Sequence, residues 1–78
     1  MMYELLIRLF VTKENKIVET IFDKRLSFNE NLILLNKMIE NMTFHDFHVY
    51  DPIKRIFIDK NKVLDDMGVY SFMTFYLY

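Results

Sequence analysis

The last thirty residues, 49–78, constrain the fold of this 78-residue chain more than any other stretch. The Asp-Pro pair at 51–52 begins a turn, because proline fixes the first central backbone angle and aspartate bonds the backbone beyond it. Apolar runs at 56–58 and 74–78 alternate with period two, as strands do. Between them, 63–69 carries an acidic pair and the chain's one glycine, which predict a single helical turn. The segment therefore predicts strand, tight turn, strand, short helix and final strand.

Residues 3–11 alternate between two sets of side chains, which is the pattern of a strand. The apolar set is predicted to face the core and consists of Tyr3, Leu5, Ile7, Leu9 and Val11. The opposite set contains Arg8 together with Leu6 and Phe10. Phe10 either covers the edge of the sheet or belongs to an exposed apolar surface that binds a partner.

A polar turn at 12–16 and a second strand at 17–26 complete a predicted hairpin. Asn15 is the turn residue best able to adopt a left-handed backbone. The second strand has two candidate core faces, which are Val18, Thr20, Phe22 and Leu26 or Ile17, Glu19 and Ile21.

Ser27 and Glu30 have the spacing of a capping box, so a helix is predicted to begin there. An apolar stripe at helical spacing is predicted to face the sheet and consists of Phe28, Leu32, Leu35, Ile39 and Met42. A second row, Leu34 and Met38, either widens the buried face or meets a partner. The helix is predicted to end at 41–43.

Composition limits the class of protein. At 78 residues, 53% of them hydrophobic, the chain is predicted to be a single domain, 1–78, with one small core. It has no cysteine, which excludes disulfides and thiolate metal sites. The 10 basic and 11 acidic residues are interspersed, so nucleic acid is not a predicted partner. No apolar run approaches the ~20 residues that span a bilayer, and the first residues do not have the pattern of a signal peptide. We expect a cytoplasmic protein without direct membrane insertion.

The order of predicted elements, β-β-α-β-β-β, defines the expected fold class. A hairpin, a crossover helix and three more strands allow the first and last strands to lie parallel in the centre of the sheet. We therefore predict an α+β roll, a β-grasp, with a mixed sheet of four to five strands and one helix packed across it.

Residues 63–78 resemble the closing segment of ubiquitin-like domains. The resemblance lies in Leu64, the acidic residue two positions later, and Gly68 before Val69, followed after a short gap by an apolar strand. Residues 55–60 resemble the strand and turn that precede this segment in the family. The resemblance implies that Leu64 and Val69 close the bottom of the core.

Residues 21–27 resemble the second strand and helix start of the small bacterial YukD/EsaB proteins, which are ubiquitin-like accessory proteins of type VII secretion systems. This resemblance implies a cytoplasmic accessory protein. Conjugated modifiers and sulfur carriers of this fold end in a flexible Gly-Gly tail, whereas residues 75–78 belong to a predicted strand. We therefore expect a chain that is neither conjugated nor thiocarboxylated.

Catalytic and metal-binding chemistry has few candidates. His45 and His48, with Asp51 as the nearest spare carboxylate, form the one metal-like cluster, but a zinc site needs three or four ligands. Two solvated histidines are the expected alternative. The serines have no neighbouring histidine to activate them. The sequence predicts no enzyme and no cofactor.

The acidic pair Asp65-Asp66 could form a cation site or an acid pair. Beside Leu64 and Met67 it is instead expected to cap the helical turn, where the dipole favours negative charge.

The predicted functional site is a protein-binding surface on the open side of the sheet. The side chains expected to face the helix are Ile56, Ile58, Phe75 and Leu77. The residues expected to form the binding surface are Arg8, Phe10, Phe57, Tyr76 and Tyr78. Aromatic residues with arginine are enriched at binding hot spots, although tyrosine also suits strand surfaces by propensity alone. The expected partner is a protein, either a membrane component of a secretion system or a second copy of the chain.

Two other functions remain open from the sequence. One is a small metal-binding protein or enzyme subunit that uses His45 and His48. The other is a structural or inhibitor protein of a mobile element that happens to use the fold.

Overall fold

The computed structural model describes residues 3–38 and 47–78, which form five strands, one α-helix and two 3₁₀ turns. The strands are β1 (Glu4–Val11), β2 (Lys16–Asp23), β3 (Val49–Asp51), β4 (Ile56–Phe57) and β5 (Met73–Leu77). The helix, α1, spans Phe28–Met38, and the 3₁₀ turns span Thr12–Glu14 and Leu64–Met67. None of these described helices is long and apolar enough to cross a bilayer.

The strands form one mixed sheet in the order β2-β1-β5-β3-β4. β1 runs antiparallel to β2 and parallel to β5, while β3 runs antiparallel to both β5 and β4. The first and last strands are therefore parallel neighbours, as predicted. β5 joins the hairpin β1–β2 to the hairpin β3–β4.

The core lies between the sheet and α1. Its buried side chains include Leu5, Ile7, Leu9, Val11, Phe22, Phe28, Leu32, Leu35, Phe75 and Leu77. The Phe28 ring meets Phe22 and Phe75 edge to face, with centroids 5.0 and 5.3 Å apart. The predicted inward faces of β1, β5 and α1 are confirmed at these positions. Tyr3 is the exception, because it lies outside β1 and is exposed beneath the Arg25 guanidinium.

Register with β1 decides which face of β2 is buried. Phe22 pairs with the inward-facing Leu5 and is buried, whereas Ile17 and Ile21 lie on the opposite, exposed face. The strand ends at Asp23 rather than at residue 26, because the Leu26 N–H turns back to donate to the Asp23 carbonyl at 3.1 Å.

The start of α1 is held by a reciprocal capping box, as predicted. The Glu30 N–H donates to the Ser27 hydroxyl at 3.0 Å, and the Ser27 N–H donates to the Glu30 carboxylate at 3.1 Å. The buried Asn31 then ties α1 to β2, accepting from the Asp23 N–H at 2.8 Å and donating to the Asp23 and Ser27 carbonyls. These bonds fix the angle at which the chain enters the helix.

Polar residues define the two hairpin turns. Asn15 adopts the predicted left-handed backbone, with φ 49° and ψ 51°. The buried Asp51 carboxylate accepts from the Ile53 and Lys54 N–H groups at 2.9 and 3.2 Å. The predicted Asp-Pro turn is thus confirmed.

The second 3₁₀ turn closes one end of the core, as the family resemblance implied. Leu64 is fully buried, and Val69 packs against the core. Gly68 ends the turn with φ 69°, which glycine adopts without strain. The prediction that the acidic pair caps this turn was wrong, because Val63 occupies the N-cap position without a side-chain bond. Both aspartates instead lie in the first turn.

Some predictions about the sheet edge and α1 need correction, and others concern residues outside the described ranges. Ile56 is on the inner side but is 51% exposed, because β4 is an edge strand of only two residues. Leu34 is exposed rather than part of a wider buried face. The predicted core positions Ile39 and Met42, the Met38 side chain and the predicted helix end lie outside the described residues.

Candidate protein-binding face

A single row of large side chains crosses all five strands on the side of the sheet opposite α1, which we call the open face. The row, called the cross-strand row below, consists of Ile17, Phe10, Tyr76, Tyr50 and Phe57, in order from β2 to β4. Each member pairs directly with the next across the sheet, so that the row is perpendicular to the strands. Side chains in such register on one face lie close enough to interact.

The rings of the cross-strand row contact one another. Ring centroids lie 5.4 Å apart for Phe10 and Tyr76, 6.4 Å for Tyr76 and Tyr50, and 5.1 Å for Tyr50 and Phe57. Tyr78 extends the cluster, at 6.3 Å from Tyr50 and 6.2 Å from Phe57. These separations are those of favourable aromatic pairs. The contacts pre-form an aromatic surface.

Exposure rises toward both ends of the cross-strand row. Phe10, Tyr76 and Tyr50 are half-buried, whereas Ile17 at one end is 58% exposed and Phe57 at the other is 62% exposed. A partner that covers the apolar surface of the whole row must therefore reach both edges of the sheet.

Arg8 lies beside the cross-strand row rather than within it. It pairs with Glu19 on β2 and Thr74 on β5, one row away from Phe10. Its guanidinium donates to the Glu19 carboxylate at 3.0 Å, and both side chains are about half exposed. The ion pair neutralises the charge next to the aromatic surface.

A second apolar patch lies beyond this ion pair. Leu6 pairs with Ile21 on the open face, and both are exposed. Phe72, 79% exposed, donates its N–H to the Leu6 carbonyl at 2.7 Å. Its φ is 72°, an uncommon and strained value for a bulky aromatic residue.

The comparisons with known proteins address this backbone arrangement. No protein-family model matches the sequence, and no curated protein matches it. Among solved structures, the chain is similar to a protein designed de novo on the basis of ubiquitin, with a TM-score of 0.74 and 13% sequence identity. The match covers 97% of this chain and 88% of that chain. The fold is a ubiquitin-like β-grasp. The predicted fold class is confirmed, and the sheet has five strands.

The predicted site residues are partly brought together in this β-grasp. Phe10, Phe57, Tyr76 and Tyr78 belong to one aromatic surface, while Arg8 lies beside it. Tyr50, whose ring neighbours three others, was not among the residues predicted from the sequence. Alternation with the buried Val49 was the available signal, because it places Tyr50 on the opposite face of β3.

The described residues of the predicted metal-like cluster, His48 and Asp51, make other contacts. His45 lies outside the described residues, and His48 stands edge to face against Phe57 at 6.3 Å. The Asp51 carboxylate accepts from turn N–H groups. Within residues 3–38 and 47–78, no group of three or more His, Asp or Glu side chains is placed to hold a metal ion.

Two of the shallow, largely apolar depressions on the helix side of the β-grasp include Leu34 in their lining. A groove of about 380 Å³ separates β2 from α1 and includes Phe22 and Leu34 in its lining. A depression of about 230 Å³ is lined by Leu26, Glu30, Ile33 and Leu34. Leu34 borders both and is the alternative docking position.

A contact between Asp23 and Arg25 shifts the pKa values of both side chains. Hydrogen bonds from the Arg25 side chain, at 2.7 and 3.0 Å, and from its backbone lower the pKa of the Asp23 carboxyl below its usual value. The same contact raises the pKa of the Arg25 guanidinium. The guanidinium carbon stacks 4.2 Å above the Tyr3 ring. Through these contacts Arg25 connects Asp23, at the end of β2, to Tyr3, the residue before β1.

Proposed function

We propose that this protein is a non-catalytic, ubiquitin-like protein-interaction module that docks through the open face of its sheet. The observation that carries the proposal is the cross-strand row, which places large side chains in register on every strand of the face away from the core. A contiguous exposed apolar patch of this kind marks an interaction site. Arg8, Phe10, Phe57, Tyr76 and Tyr78 are the proposed contact residues, with Tyr50 added as the centre of the aromatic surface.

The roles of the serines support a non-catalytic function. The Ser27 hydroxyl accepts from the Glu30 N–H in the capping box, and the Ser71 hydroxyl accepts from the Leu6 N–H at 3.2 Å. A nucleophilic serine instead needs an adjacent base. Both hydroxyls form hydrogen bonds that stabilise the fold.

We further propose a cytoplasmic accessory role beside a type VII secretion system. The support is the resemblance of residues 21–27 to the YukD/EsaB proteins. In the structure these residues form the end of β2, the connecting turn and the helix cap. The partner in this proposal is a protein component of the apparatus or a second copy of the chain.

The test is affinity capture from native lysate with three bait proteins that retain the wild-type circular dichroism spectrum. They are the wild type, the Phe57→Ala/Tyr76→Ala variant and a control variant, Ile33→Ala/Leu34→Ala, altered on the exposed side of α1. We expect the wild type and control to capture the same protein and the row variant to lose it. Equal capture by all three would overturn docking through the open face. Capture of a protein unrelated to secretion would overturn the accessory role.

A further inference from the structure

We infer that a depression beside β4 binds an extended protein segment in which an apolar side chain is flanked by acidic ones. The depression lies on the inner side of the sheet, so this binding site is additional to the open face of the proposed function. Three features of the molecule support it, which are the distribution of charge, the lining of the depression and the unpaired edge of β4.

Positive charge is concentrated around β4. Residues 52–62 contain four basic side chains and one acidic one, whereas the rest of the chain contains six basic and ten acidic ones. The basic residues of the segment are Lys54, Arg55, Lys60 and Lys62. In the part of the chain that the structure describes, none of these four side chains forms a salt bridge. Such a local excess of positive charge attracts an anionic partner.

The depression combines an apolar floor with two cations. It has a volume of about 270 Å³, and its floor is an edge of the core formed by Ile58, Met67, Val69, Met73 and Phe75. The exposed Lys54 and Lys62 also line it. An occupant that matches this lining places an apolar group on the floor and negative charge beside the lysines.

The two carboxylates that line the depression already accept hydrogen bonds. Asp51 is buried, and its carboxylate accepts from the Ile53 and Lys54 N–H groups at 2.9 and 3.2 Å. The Asp59 carboxylate accepts from the Asn61 N–H at 2.9 Å. Among the described residues, the ammonium groups of the two lysines have no such partner, so they are the charged groups available to an occupant.

The backbone of β4 favours an extended chain over a lipid surface or a small anion. β4 is the last strand of the sheet, and its Phe57 pairs with Tyr50. At the next position the Ile58 N–H donates to the Val49 carbonyl at 2.9 Å. Because bonded and non-bonded pairs alternate along an antiparallel ladder, the N–H and C=O of Phe57 point away from β3. A further strand is the partner that can bond to both groups.

Strand geometry specifies the sequence of this segment. Lys54 precedes β4 and Lys62 follows it, so the two cations flank the strand along the chain. Side chains two positions apart in a strand point to the same face, about 7 Å from each other. An apolar residue on the floor therefore needs acidic residues two positions before and after it. Acidic residues directly next to it would point to the opposite face of the sheet.

The test is an NMR titration of the isotope-labelled full chain with the peptide Ser-Glu-Ser-Leu-Ser-Glu-Ser. We expect a dissociation constant below about 1 mM, with shifts of the Lys54, Phe57 and Lys62 amides. The control peptide, Ser-Ser-Glu-Leu-Glu-Ser-Ser, has the same composition but carries its acidic residues on the opposite face. It should bind at least about fivefold more weakly. Equal binding of the two peptides, or binding of neither, overturns the inference.

Charge variants locate the binding site. Lys54→Glu/Lys62→Glu should raise the dissociation constant at least about tenfold, because two attractive contacts become repulsive. Lys13→Glu/Lys16→Glu makes the same change in net charge at the turn between β1 and β2, and should change the constant less than about twofold. Equal effects of the two variants would overturn the assignment to the depression.

A lipid surface and the open face are excluded by separate measurements. Binding to vesicles of phosphatidylserine and phosphatidylcholine, without binding to the peptide, would assign the positive charge to a membrane and overturn the inference. Tyr76→Ala on the open face should leave the peptide affinity unchanged. Loss of peptide binding in this variant would place the peptide on the open face instead.

Discussion

The two faces of the sheet consist of alternate residues from the same strands, and they differ in what lies against them. On β5, Phe75 is fully buried against Phe28 of α1, while its neighbour Tyr76 is half-buried among other rings of the open face. The inner face is closed by the helix within one chain. The open face is just as continuous but remains partly exposed. This difference indicates that the fold is maintained mainly by the inner face, whereas the open face keeps part of its apolar surface exposed.

The largest expected effect comes from opening the inner face. Phe75→Ala should lower the free energy of unfolding by about 3–5 kcal/mol, because it removes a buried ring and leaves a cavity beneath Phe28. Small domains have only about 5–15 kcal/mol in total. Urea unfolding followed by circular dichroism measures the change. A loss below about 1 kcal/mol would contradict the assignment of this face as the core.

A smaller loss of stability is expected when the polar contact between α1 and β2 is removed. Asn31→Ala should cost about 1–3 kcal/mol, because the Asp23 N–H loses the Asn31 acceptor and the Asp23 carbonyl loses one of its donors in a part-buried position. The control, Asn29→Ala, lies one half-turn earlier on the same helix. Unfolding midpoints of the two variants that do not differ would show that Asn31 is not needed to join α1 to β2.

The open face should tolerate truncation far better. In dilute solution, Tyr76→Ala should lower the free energy of unfolding by about 1 kcal/mol, since it removes two cross-strand aromatic contacts without opening the core. The comparison with Phe75→Ala on the same strand is made by urea unfolding under identical conditions. Equal losses for the two neighbours would remove the distinction between the faces.

One position on the open side should gain stability when truncated. Phe72→Gly should raise the free energy of unfolding by about 0.5 kcal/mol, because relief of a left-handed backbone outweighs the greater chain entropy of glycine. Asn15→Gly is the control and should change less, because asparagine tolerates that conformation. Thermal denaturation of both variants gives the sign. Destabilisation by Phe72→Gly would show that its ring supports the fold.

The smallest effect is the pH dependence of the Asp23–Arg25 contact. The pKa of Asp23 is lowered in the folded chain, so its contribution is present above the unfolded-state pKa and is lost as the pH falls through the folded-state value. Wild type and Asp23→Asn should therefore differ in urea midpoint at neutral pH and converge in acid. Asp66→Asn serves as a control. A difference that does not change with pH would exclude the carboxylate charge as its cause.

The faces of the strands were predictable from sequence only where one set of side chains was clearly more apolar. In β1 the inner set is entirely apolar, and alternation identified it correctly from Leu5 to Val11. In β2 both Phe22 and Ile21 are apolar, so period two could not distinguish the faces. Antiparallel register with β1 made the choice, and register is a tertiary property.

Most residues of the candidate surface were predictable from the sequence, but their pairing across the strands was not. Phe10, Phe57 and Tyr76 were identified from alternation within their own strands, but the row is defined by pairing between strands distant in sequence. Arg8 lies beside the aromatic residues, as expected, but its ion pair was not predicted, because Glu19 lies directly across from it on a strand distant in sequence. Opposite charges at facing positions stabilise such pairs.

The central position of β5 has a consequence for synthesis of the protein. Leu6 donates its N–H to Ser71, 65 residues later, and β1 gains its parallel neighbour only from residues 73–77. At about 5–20 residues per second, one edge of β1 stays unpaired on the ribosome for several seconds. An unpaired apolar strand is prone to aggregate. Translation speed and chaperone access near the end of this chain should therefore influence how much of it folds in the cell.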